Sequence, residues 1–140
     1  MYNRTASTAD ALRASFPSAY NIVLIPSLDL TSFTSGPPLF IVGTVPAQHT
    51  SLTPSATTLL LSRDCLARPL GGVLIDMAYL PRRTPLVRLA EGKEGWSTQT
   101  GIMVLLAQGY QQFEIWNGLE APEEQMRSAV LGAYDAENPE

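Results

Sequence analysis

Cysteine is almost missing from this chain: Cys65 is the only one among 140 residues, which excludes an internal disulfide and any multi-cysteine metal site. Histidine and lysine are equally scarce, with His49 and Lys93 the sole examples. Positive charge is in short supply as well, at 9 Lys and Arg against 13 Asp and Glu for a formal net charge of −4. The basic residues are scattered along the chain, so a nucleic-acid backbone, which is bound through clustered Lys and Arg, is disfavoured as a partner. Long apolar runs are lacking too. The longest, residues 102–107, falls far short of the roughly 18 residues of a membrane span. The amino terminus shows no apolar core behind a basic flank. Neither membrane insertion nor secretion is expected, and a reducing, cytoplasmic setting fits best. No internal repeat, heptad seam or low-complexity tract interrupts the chain, so one domain is the default for this length.

What is present is an alternation of short apolar runs with helical patterns. Residues 7–16 carry Ala and Leu at helical spacing behind a Ser or Thr cap, and Pro17 closes that helix. Residues 20–25 (YNIVLI), 39–45 (LFIVGTV) and 72–77 (GVLIDM) are continuous apolar runs that suit parallel strands buried on both faces. The segment 26–38, rich in Ser, Thr, Gly and Pro, reads as loop. A short helix is expected over 54–61 and another over 84–90, where Pro85 stands at a first-turn position and its missing N–H costs nothing. Residues 96–100 predict one more short strand. Residues 101–116 carry Ile102, Leu105, Leu106, Phe113 and Trp116 on a helical pattern, with Asn117 and Gly118 as its carboxy-terminal cap. A last helix starts near Pro122 with Glu123 and Glu124 in its first turn and runs to about Tyr134, before a polar tail over 136–140. The alternation predicts an open α/β sheet.

Three segments carry more specific wording: Asn3-Arg4-Thr5, then Asp76-Met77-Ala78-Tyr79 continued by Arg83-Thr84-Pro85-Leu86, and then residues 101–118 (GIMVLLAQGYQQFEIWNG). In this order and at these separations they resemble the cofactor domain of shikimate dehydrogenases. Residues 71–88 are similar to the version in the fungal pentafunctional arom protein. The resemblance covers residues 1–135. It implies that Asn3, Arg4 and Thr5 read the 2′-phosphate of NADP, a task that suits a permanently charged guanidinium placed after a sheet strand. It also implies that Thr44, Val45, Met77 and Gly101 line the nicotinamide side, and that Tyr79 and Gln108 contact shikimate or a quinate-like molecule. Thr8 stands where the family usually has a second basic residue, which weakens the implied phosphate grip. His49, Cys65, Trp96 and Trp116 receive no role.

By the same resemblance the chain starts at the end of the second strand of a Rossmann-like fold. The first strand with its glycine-rich turn, and the substrate domain with the family's catalytic Lys and Asp, are then absent. The expectation is a partial, doubly wound parallel sheet followed by carboxy-terminal helices, with no catalytic residue, no metal site, and NADP binding that is weak or lost in the isolated chain. The first strand occupies the middle of such a sheet. Its slot is therefore expected to leave apolar edges open, to be filled by the missing amino-terminal half or another protein chain. Three readings follow: part of a shikimate dehydrogenase, inactive alone; part of a quinate repressor-type regulator that binds pathway metabolites or an activator without catalysis; or an unrelated small interaction protein.

Overall fold

Gly72–Asp76 (β2) is the strand the sequence marks most clearly, and it sits in the middle of the sheet. In the computed structural model, which describes residues 1–46 and 61–137, it pairs on one side with Phe40–Gly43 (β1) and on the other with Trp96–Gln99 (β3). Both pairings are parallel: Ile41 stands opposite Leu74, and Leu74 opposite Thr98. Parallel neighbours require crossovers. The one from β2 to β3 is made by Pro85–Ala90 (α2), which is capped as its sequence dictates, with the Thr84 side chain accepting from the Val87 N–H and Pro85 in the first turn. Leu74, Val87, Ala90 and Leu66 form the core between sheet and helix, with Ile41, Leu61, Leu86, Leu89 and Trp96 packed around it. Leu74 and Val87 are fully buried, worth about 1.5–3 kcal/mol each by transfer from water. The Trp96 indole N–H is satisfied by the Leu66 carbonyl at 2.9 Å.

Ala6–Ala14 (α1) precedes the sheet, and Gly101–Asn117 (α3) and Glu123–Glu137 (α4) follow it. The two carboxy-terminal helices make a second core from Leu106, Tyr110 and Ala121, with Met103, Phe113, Met126, Val130 and Leu131 against it. Gly118 ends α3 in the left-handed conformation at φ 67°, and its N–H donates to the Glu114 carbonyl at 2.8 Å.

The α/β class, the parallel strands and the carboxy-terminal helices are as expected, but residues 20–25 are not a strand. They gain only one rung of pairing. The Met1 amino group donates to the Val23 carbonyl at 2.6 Å, and the Ile25 N–H donates to the Met1 carbonyl at 3.0 Å. These two bonds flank Leu24 as in a parallel bridge, yet a strand needs successive neighbours and here Met1 supplies one. Val23 is half exposed as a result. Nor is β1 buried on both faces, since Phe40 is 62% and Val42 58% exposed on the edge of the sheet. Helix α4 runs to Glu137, beyond its expected end. The short helix expected over 54–61 falls mostly outside the described residues, as does His49.

Candidate functional site

Parallel strands end on one side of a sheet, so the segments leaving β1, β2 and β3 meet along one edge. Thr44 and Val45 follow β1, Met77, Ala78 and Tyr79 follow β2, and Gly101 opens α3 directly after β3. The Met77 N–H donates to the Gly43 carbonyl at 2.8 Å, which ties the exits of β1 and β2 together. Gly101 is buried, and a Cβ built on it would lie 2.5 Å from the carbonyl oxygens of Met77 and Ala78. Only a residue without a side chain lets α3 start this close to the β2 exit. The structure therefore brings Thr44, Val45, Met77, Tyr79 and Gly101 to one edge.

The loop from β2 to α2 is fixed at its root by a buried polar pair that motif reading passes over. Asp76 is 1% and Thr84 0% exposed. The Thr84 hydroxyl donates to Asp76 Oδ2 at 2.5 Å, and Asp76 Oδ1 accepts from the Ala78 N–H at 3.2 Å. A buried carboxylate is tolerable only when its oxygens are engaged in this way. The sequence signal was an acid ending an apolar run, eight residues before a Thr-Pro helix start. Further along the loop, Arg83 contacts the Glu91 carboxylate, the Tyr79 carbonyl accepts from the Tyr134 hydroxyl at 2.9 Å, and Arg82 pairs with Asp135 at 3.3 Å. The Tyr79 side chain is 46% exposed.

Asn3, Arg4 and Thr5 lie apart from that edge, at the start of α1. Asn3 Oδ1 accepts from the Thr5 N–H at 2.9 Å, a local turn that brings the chain into the helix. Thr5 is the N-cap, and its hydroxyl makes no capping bond. All three are exposed, and Asn3 and Arg4 border a cleft of about 280 Å³ with Tyr2, Ala6, Ala9 and Leu24. A second cleft, of about 260 Å³, shares Met1, Tyr2 and Ile25 with the first and reaches Phe40, Gly43, Thr44 and Val45 on β1. The two clefts thus join the start of α1 to the exit of β1. Gln108 is exposed on α3, on the face turned away from Leu106 and Tyr110. It borders neither cleft.

Among the described residues, no cluster of three or more His, Cys, Asp or Glu could hold a metal, and no helix is long and apolar enough to cross a membrane. Cys65 is buried beneath the 28–29 turn, where burial first, and then the nearby Asp29 and Asp64 charges, push its thiol above the usual range. Asp29 is held below the usual carboxylate range, chiefly by the Ser27 and Thr31 hydroxyls. Neither group faces the edge that carries Met77 and Tyr79.

A family model described as the Shikimate 5'-dehydrogenase C-terminal domain matches residues 101–131, which cover α3 and the first part of α4. The pentafunctional AROM polypeptide of Malassezia globosa is 40% identical over 136 residues, 97% of this chain and 8% of that protein. The quinate repressor protein of Emericella nidulans is 33% identical over 135 residues, 95% of this chain and 13% of that protein. The chain therefore spans a small fraction of the length of the curated relatives it matches. Among solved structures, the dehydroquinate dehydratase and shikimate dehydrogenase of S. pombe AroM aligns at a TM-score of 0.72 with 31% identity, over 93% of this chain and 24% of that one. The shikimate 5-dehydrogenase of Thermus thermophilus, solved in complex with NADP(H) and shikimate, aligns at 0.63 with 25% identity, over 94% of this chain and 44% of that one. By sequence and by fold, the chain is similar to the carboxy-terminal part of shikimate dehydrogenases, and its relatives include fungal AROM polypeptides and a quinate repressor protein.

Proposed function

We propose that residues 1–135 form one wall of a crevice for NADP and a shikimate-like hydroxy acid, and that this wall binds without catalysing. The observation that carries the reading is the convergence of Thr44, Val45, Met77, Tyr79 and Gly101 on the carboxyl edge of a parallel sheet, the side on which open α/β sheets take their ligands. The residues at the start of α1 suit the phosphate end of the dinucleotide. The exposed Arg4 guanidinium, the free Thr5 hydroxyl and the helix amino terminus all favour an anion, and small Ala6 and Ala9 leave room beside them. Met77 and the β1 exit would face the nicotinamide, and the Tyr79 phenol and Gln108 amide would donate to ligand hydroxyls or a carboxylate.

When bound, NADPH would supply the hydride to the carbonyl carbon, but ketone reduction also needs a proton donor held beside the carbonyl oxygen. Lys93 is exposed in the turn between α2 and β3, away from the edge, and Asp76 is committed to Thr84. On this reading the wall's own groups, among the described residues, bind and orient the ligands. A regulatory role of the quinate-repressor kind is the second reading, favoured by the 33% identity to that protein over 95% of the chain; it uses the same wall to sense a metabolite.

An NMR titration of the chain with NADP and with shikimate, run beside an assay for NADP-dependent shikimate oxidation, tests this. Expected are weak shifts at Asn3, Arg4 and Thr5 with NADP, shifts at Tyr79 and Gln108 with shikimate, and no turnover. Turnover lost on Tyr79→Phe or Gln108→Ala would show that the wall is a catalyst. Shifts confined to other surfaces would end the crevice reading.

A further inference from the structure

We infer that the last turn of α4 is a brace that sets the position of Tyr79, with Tyr134 and Asp135 as its positioning residues; the inference rests on the proposed placing of Tyr79 in the ligand crevice. The β2–α2 loop is anchored at its root by Asp76 and Thr84, but that buried pair does not reach its tip. The tip is held from outside. The Tyr134 hydroxyl donates to the Tyr79 carbonyl at 2.9 Å, across 55 residues of sequence. The adjacent Asp135 accepts from Arg82 at 3.3 Å, across 53 residues. Two neighbouring residues on one helical turn therefore grip both ends of the Tyr79–Arg82 segment. The ion pair is solvent-exposed on both partners, 43% and 63%, so it is weak alone. The half-buried Tyr134, whose hydroxyl donates to the Tyr79 carbonyl, is the firmer contact.

The other end of α4 explains why such a brace has a use. Met126, Val130 and Leu131 pack into the core that α4 shares with α3, and α3 is the helix that carries Gln108. Helix α4 thus connects the two side chains proposed to meet the hydroxy acid, and it couples their spacing to a fixed helix–helix contact. Tyr134 touches neither ligand nor cofactor in this arrangement. It acts through the backbone at Tyr79.

The test uses the 140-residue chain, as wild type, Tyr134→Phe, Asp135→Asn and Asp135→Glu, with backbone amide relaxation across residues 77–83 and NMR titration with shikimate. In Tyr134→Phe the order parameters at Tyr79, Leu80 and Arg82 are expected to fall from about 0.85 to below about 0.6, while those of β2 stay in the rigid range. The dissociation constant for shikimate should rise about five-fold, as for the loss of one neutral hydrogen bond. Asp135→Asn should give a smaller change of the same kind, and Asp135→Glu should retain wild-type behaviour. A loop as rigid in Tyr134→Phe as in the wild type overturns the brace. So does a loosened loop with shikimate affinity unchanged, since the contact would then serve the fold alone. A wild type that binds no shikimate, in a series where Tyr134→Phe still loosens the loop, supports the brace and sinks the crevice reading instead.

Discussion

Asp76 shows how one residue can set a site without belonging to it. Its carboxylate is nearly sealed from water, and its two oxygens are engaged by one hydroxyl and one backbone N–H, from Thr84 and Ala78. Removing the hydroxyl while keeping the shape isolates that bond. Thr84→Val leaves Asp76 Oδ2 without its donor and also deletes the cap on the Val87 N–H. The expected cost is about 2–4 kcal/mol, from the desolvation of an orphaned buried acceptor plus a lost helix cap. Urea unfolding with an unchanged m-value measures it; a loss below about 0.5 kcal/mol would mean that water replaces the hydroxyl. Both residues stood in the motif wording, Asp76 within Asp76-Met77-Ala78-Tyr79 and Thr84 within Arg83-Thr84-Pro85-Leu86, but that they pair was not legible. Pairing of residues eight apart across a loop depends on how the loop folds back, which neither periodicity nor motif wording encodes.

At the scale of elements, legibility followed how much each segment determines its own neighbours. Helix α2 announces both its cap and its first-turn proline locally, and β2 is an apolar run with Gly72, Leu74 and Asp76 buried and Val73 and Ile75 half-buried. These were readable. Residues 20–25 have equally strong strand composition, yet a strand is defined by its partner, and among the described residues Met1 alone bridges to their backbone from another segment. The start of α3 was legible as a glycine before a helical pattern, while the reason for that glycine, the carbonyls of Met77 and Ala78, comes from another part of the chain. The end of α3 offers a cleaner measurement. Gly118 lies at φ 67° with open space where a Cβ would go, so Gly118→Ala changes backbone strain and nothing else in the packing. A loss of about 1–2 kcal/mol is expected from forcing an L-residue into the left-handed region. Thermal unfolding of Gly118→Ala beside Gly118→Asn checks the cause, because Asn tolerates this conformation and should recover part of the loss.

For the molecule as a whole, the decisive feature is that the sheet stops at β1. Among the described residues, the outer edge of β1 has no strand beside it, and Phe40 and Val42 present 62% and 58% of their surface to solvent. The cleft along this edge is lined largely by apolar residues, among them Met1, Ile25, Phe33, Ile41 and Leu61. A flat apolar edge with unpaired backbone donors and acceptors is a template for another strand. A formal charge of −4 on 140 residues opposes association only modestly. Self-association that grows with concentration is therefore expected in solution, and one edge charge should suppress it. Val42→Lys places an ammonium on the exposed face of the strand, where natural edges carry Lys for this purpose, and its half-open site keeps the folding cost within about 0.5 kcal/mol. Sedimentation velocity over a concentration series should show larger species for the wild type and a monomer for Val42→Lys, with closely similar melting temperatures. If both chains sediment alike as monomers, the β1 edge is protected by some other part of the molecule, and the apolar cleft beside it is not open to strands.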